Sequence, residues 1–177
     1  AVHPLGASSP FFKSLPLEDF GLEWINPPAA LAHPFDDGTA AVLYPSLKET
    51  AATLGEDADK YLSLMTPLVE DWNTIAPDLL GPFTIPTALG KTVRFGLQAI
   101  KSSEQFVKNF KGHKAKAFFG GLAAHSMLAL DKPMSASFGL VLGAIGHVVN
   151  WPFPKGGSQA LADALAAYFQ SIGGTVQ

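Results

Sequence analysis

The chain has 177 residues, of which 47% are hydrophobic and 15% charged, so it can bury one core of its own and is apolar for a soluble domain. It carries no cysteine, which excludes a disulfide framework, thiolate metal sites and a cysteine nucleophile. The net charge of −3 argues against a nucleic-acid partner, although residues 1–80 sum to −9 and residues 81–177 to +6.

In chain order, Leu22–Ile25 reads as a short strand. Leu31–Tyr44 reads as a hairpin around Asp36-Asp37-Gly38, where Asp-Gly suits a type I′ turn. Pro34 belongs at an edge or a bulge, because it has no N–H to give a ladder. Together these predict a small antiparallel meander. Ser46-Leu47-Lys48-Glu49 is a capping-box pattern, so a helix starts at Ser46 and stops near Gly55. A second helix starts at Asp57, with Tyr61, Leu64, Met65, Leu68, Trp72 and Ile75 on one face. Pro67 is expected to kink it, and Pro77, Gly81, Pro82 and Pro86 to form a loop.

Further helices are predicted near 87–101, 103–110, 113–127 and 134–149, and a last one over Ser158–Ile172. In the last, Leu161, Leu165, Tyr168, Phe169 and Ile172 share a face and Gly173 is the stop. The near-apolar run from Met134 to Val149 is shorter than the about 20 residues that cross a bilayer. The expected location is cytoplasmic or peripheral on a membrane. Gly173-Gly174-Thr175-Val176-Gln177 looks like a helix stop followed by a strand start, and both chain ends suggest a piece of something longer. The last four residues are expected to pair with none of the chain's own strands.

No G-x-G-x-x-G between a strand and a helix is present, so there is no dinucleotide fingerprint. Ala136, Gly139, Gly143 and Gly146 instead make a small-residue seam along one helix. It serves either close helix packing or room for a long apolar ligand. Gly156-Gly157-Ser158-Gln159-Ala160 faintly resembles a nucleophile elbow, but Pro152 and Pro154 exclude a central strand before it, and Ser158 reads as a helix N-cap. The five histidines show no metal-ligand spacing. His33 reads as turn chemistry with Asp36 and Asp37. His125 and His147 fall in apolar helices, either as bonded core residues or as polar points in a substrate cavity. Seven of the twelve bases lie between Lys91 and Lys116, interleaved with apolar residues, which describes a solvated helix face or one that meets an anionic membrane.

Three stretches go further. They are Ala1 to Phe11 (AVHPLGASSPF), Gly120 to Ser126 (GGLAAHS), and Gly146-His147 with the run from Trp151 to Leu165 (WPFPKGGSQALADAL). In these the chain resembles, essentially end to end, the middle of phytoene-dehydrogenase-related flavoproteins of the carotenoid desaturase and isomerase type. The resemblance implies a single α+β substrate-binding domain over residues 1–177, with antiparallel strands at about 20–45 and helices at about 46–172, taken from a larger flavoprotein. It further implies that FAD is held by segments outside this sequence, with none bound by residues 1–177 alone. The chemistry implied is hydrogen transfer between a lipophilic unsaturated substrate and the flavin, with the protein positioning the substrate. His3, Pro4, Leu5 and Gly6, with Lys155, Gly156 and Gly157, are then expected to face the cofactor. His125, Gly139, Gly143 and His147 are expected to line the substrate cavity, and no residue is assigned as catalytic. The alternative is an autonomous lipid- or protein-binding helical module without redox activity.

Overall fold

A computed structural model describes residues 1–82 and 85–176. Phe83 and Thr84 of the expected 77–86 loop, and Gln177 of the C-terminal stretch, lie outside the described residues. The fold is α+β and mostly helical, with two small antiparallel sheets. In order its elements are α1 (Pro4–Ser8), α2 (Pro10–Lys13), β1 (Trp24–Ile25), β2 (Leu31–Pro34), β3 (Ala40–Leu43), α3 (Leu47–Ala52), α4 (Ala58–Leu80), α5 (Leu89–Ala99), α6 (Ser103–Phe106), α7 (His113–Ala124), α8 (Ser135–Val148), β4 (Phe153–Pro154) and α9 (Ser158–Ser171).

The local rules that start the helices are visible. Ser46 and Ser102 each accept a backbone N–H from the third residue on, and Ser102 with Gln105 completes a capping box. The N-terminal helices α1 and α2 were not expected from the sequence. Each is a single turn that starts on a proline (Pro4, Pro10), a residue pre-shaped for the first helical position.

The sheet differs from the expected meander. Pro27 and Pro28 interrupt the chain after β1, so β1 cannot feed a hairpin with β2. Its partner is β4 instead, with Trp24 opposite Pro154 and Ile25 opposite Phe153. Leu22 is not part of the strand; it is buried in a small second core. β2 and β3 do form the hairpin, from Leu31 opposite Leu43 to Pro34 opposite Ala40. Its turn is not type I′, because only Gly38 has a positive φ (79°). The Gly38 N–H reaches the Phe35 carbonyl and the Phe35 N–H reaches the Thr39 carbonyl, so Asp36 and Asp37 form a type I turn closed by a glycine bulge. His33 takes no part in it: its ring packs on Phe118, 5.8 Å between centroids.

α4 runs unbroken through Pro67 and continues past Pro77 to Leu80, so the expected loop begins later than the prolines suggest. Tyr61, Met65, Leu68, Trp72 and Ile75 bury its inner face against α8 and α7. The main core also holds Phe106, Phe118, Phe119, Leu122 and Ile145, with the Phe106 and Phe119 rings stacked at 4.2 Å. Each such side chain contributes about 1.5–3 kcal/mol when fully buried. The second core gathers Leu17, Leu22 and Ala164 with Phe12, Phe20, Trp24, Leu161, Leu165 and Tyr168, and seats α9. Phe169 and Ile172, expected on that face, are exposed. Thr175 and Val176 lie in no strand. No described helix is long and apolar enough to cross a membrane.

Candidate functional site

Two features among the described residues bear on the expected sites, and α1 touches both. The first is an apolar groove between α5 and α8. A helix that is apolar all round is normally buried all round. α8 departs from that: Ala136, Gly139, Leu140, Gly143 and Gly146 are buried, but Phe138 on the opposite flank is 43% exposed. Met134, Ser137, Phe138, Val141 and Leu142 form this second stripe at helical spacing. Across from it stand Phe95 and Ala99 of α5 and Ile100, its C-cap, with Leu79 and Leu80 of α4 and Leu5 of α1. The open groove between them has a volume of about 500 Å³, inside the roughly 300–1,000 Å³ usual for ligand pockets. Its side-chain hydroxyls, Thr92 and Ser137, are already engaged, Thr92 donating to Asp78 at 2.9 Å and Ser137 to the Met134 carbonyl at 2.6 Å. The walls therefore suit hydrocarbon.

The second feature is the junction of the N-terminal residues with the β4–α9 loop, 155 residues apart in sequence. The His3 N–H donates to the Pro152 carbonyl at 2.8 Å, and the His3 Nε2 lies 2.9 Å from the Ser158 hydroxyl. The Lys155 N–H bonds the Glu23 carbonyl, and its ammonium meets the Glu23 carboxylate at 2.8 Å, which raises the Lys155 pKa. Gly156 and Gly157 hold φ values of 82° and 98°, a region that favours glycine, and a side chain there would meet nothing within 4 Å. Ser158 is the first helical residue of α9, not its cap. Gly157 holds the cap position, and the serine hydroxyl is free to meet His3.

The residues expected to face a cofactor thus divide. His3, Lys155, Gly156 and Gly157 share one surface, Pro4 opens α1, Leu5 turns into the groove, and Gly6 packs on the Phe12 ring. The residues expected in the cavity lie elsewhere. A Cβ on Gly139 would stand 2.7 Å from Phe119, and one on Gly146 2.5 Å from Leu43; Gly143 faces Met65 and Leu122. The seam brings α8 close to α7, α4 and β3, because side chains there would collide. His125 is exposed and meets Trp151 edge-on at 5.8 Å. His147 bonds the Tyr61 hydroxyl at 2.7 Å and the Pro45 carbonyl at 3.2 Å. Desolvation lowers the His147 pKa and raises that of Tyr61 far above its ordinary value. None of these four lines the groove.

Sequence reasoning missed the groove itself. Its signal was present in the second stripe of α8 and in α5, which is apolar on two sides. It also missed the His3–Ser158 contact, which no spacing could reveal. The basic stretch serves several surfaces. Lys91 and Arg94 both pair with Asp71 of α4, while Lys114 leans toward Asp37 and the Phe35 ring. Such exposed pairs contribute little to stability. Beside Arg94, Leu89, Val93 and Leu97 of α5 and its C-cap Ile100 form an outward apolar stripe, all four exposed. Among the described residues no group of three His, Asp or Glu side chains could hold a metal ion. No protein-family model, curated protein or solved structure matches this chain.

Proposed function

We propose that this chain is the substrate-binding region of an FAD-dependent oxidoreductase that acts on a lipophilic unsaturated substrate. The observation that carries the reading is the groove along α8, with its apolar walls and engaged hydroxyls. The resemblance of the stretches around His3, Gly120 and Trp151–Leu165 to phytoene-dehydrogenase-related flavoproteins supplies the chemistry.

Both sheets are antiparallel and short, so the described residues contain no strand–turn–helix of a parallel sheet to cradle a pyrophosphate. In this reading FAD is held by segments outside the sequence. The His3 and Gly156-Gly157 surface is the side turned toward them, since the open space over two glycines lets another backbone or a ring approach closely.

The test is a titration of the neutral polyene diphenylhexatriene with the 177-residue chain. Its fluorescence should saturate at one molecule per chain, and Phe138→Asp should weaken binding by about tenfold or more. Non-saturating partition, equal in both proteins, would contradict the reading.

A second reading is an autonomous lipid- or protein-binding module, and the stripe of Leu89, Val93, Leu97 and Ile100 favours it. That stripe, flanked by Arg94 and Lys101, is the form of a face that lies on a membrane. Co-sedimentation with anionic vesicles that weakens with salt, and is lost in Leu97→Glu, would support it. Absence of binding at low salt would remove it.

A further inference from the structure

We propose that Leu5 sets the length of the linear apolar molecule that the groove admits, an inference that rests on the groove being the ligand site. The groove has a direction. At one end the Met134 N–H bonds the Ile100 carbonyl, and both side chains are open to solvent, 58% and 64% exposed. From there the stripe runs along α8 to Leu142, eight residues and so about 12 Å of helix. Leu5 belongs to the Leu142 end: the Trp151 indole N–H donates to the Leu142 carbonyl at 3.2 Å, and the carbonyl of the next residue, Pro152, accepts the His3 N–H two residues before Leu5. Leu79 and Leu80 follow Asp78, which accepts from Thr92 in the half of α5 away from Ile100. Among the described residues Leu5 is the one lining side chain that comes from outside α4, α5, α8 and the residues that cap them.

Leu5 can act as a stop because α1 is fastened at both ends. The His3 N–H holds the Pro152 carbonyl before the helix, and at its last residue the buried Ser8 hydroxyl accepts the Trp72 indole N–H at 2.7 Å. A molecule that enters past Ile100 and Met134 runs along α8 until it meets a side chain carried on this pinned turn. The occupant this geometry fits is a straight hydrocarbon chain, because the walls offer no unengaged side-chain hydroxyl to a polar substituent.

The experiment displaces diphenylhexatriene from the 177-residue chain with straight-chain alcohols from octanol to tetradecanol. In the wild type, affinity should rise roughly fourfold with each methylene that finds a wall, and then level off at a break in the series. Leu5→Ala should move the break to longer alcohols, Leu5→Trp to shorter ones, and Leu5→Met should leave it in place. The opposite signs keep general destabilisation from imitating the result, and thermal melts of the variants confirm that each is folded. A break at the same alcohol in all four proteins would overturn the proposal and leave the groove reading intact. A wild type that binds neither the polyene nor any alcohol would overturn both.

Discussion

Within the small-residue seam of α8, Gly146 is where a single methyl group should matter most. A Cβ there would sit 2.5 Å from one Leu43 methyl and 2.9 Å from its Cγ, on a side chain that is fully buried and cannot step aside. At Gly143 the nearest atom is the Met65 methyl at 3.1 Å, the free end of a flexible chain. Alanine gains about 1 kcal/mol over glycine inside a helix, whereas overpacking costs about 1–3 kcal/mol. Gly146→Ala should therefore lower stability in denaturant unfolding, and Gly143→Ala should be neutral or mildly stabilising. Equal midpoints for the two variants would show that the seam is looser than its distances. The histidines carry a second residue-scale consequence. Burial lowers the pKa of both His33 and His147 below the ordinary 6.5. The folded state then prefers the neutral rings, so their contribution is full above 6.5 and is lost as pH falls through the folded values. Denaturant midpoints should drop between about pH 7.5 and about pH 5, and His147→Gln should flatten that drop. A pH-independent midpoint would contradict this.

At the scale of elements, most helices were legible because their signals are local. Periodic apolar residues, a serine cap and a glycine stop place α3 to α9 to within a few residues, and these act within one turn. The exceptions have identifiable causes. α4 outran the expected loop, because packing of Trp72, Ile75 and Ala76 in the main core outweighs the lost hydrogen bond at Pro77. β1 found β4 rather than β2, a pairing across more than a hundred residues that no local pattern encodes. Asp57 is a similar case. It read as a helix start, yet its buried carboxylate reaches across the chain to accept the N–H groups of Lys111 and Gly112 at 2.8 and 2.7 Å. It thus ties the start of α4 to the turn that opens α7. Asp57→Ala should cost about 1–3 kcal/mol, since two N–H groups lose their acceptor, and Asp57→Asn less. Denaturant unfolding of the two variants tests this; an Asp57→Ala as stable as wild type would mean that water satisfies those groups.

At the scale of the whole molecule, a main core of α4, α7 and α8 carries a smaller core that seats α9, with α1 linking the groove and the His3–Gly157 surface. The sequence marked candidate surfaces but not how they meet. His3 and Ser158 are brought together by the β1–β4 pairing and the helices between them. The cavity residues His125, Gly139, Gly143 and His147 were chosen for chemistry and small size, and three of them proved to serve packing or internal hydrogen bonds, while His125 lies exposed. The groove falls on the other flank of α8, where large apolar residues are left partly uncovered. Binding of a lipophilic molecule there, as proposed, is open to methyl NMR of the 177-residue chain with diphenylhexatriene. The expected result is that the methyl signals of Leu5, Leu80, Ile100, Val141 and Leu142 shift together and saturate, while those of Leu89, Val93 and Leu97 stay in place. Shifts confined to Leu89, Val93 and Leu97, or no saturable shift at all, would contradict it.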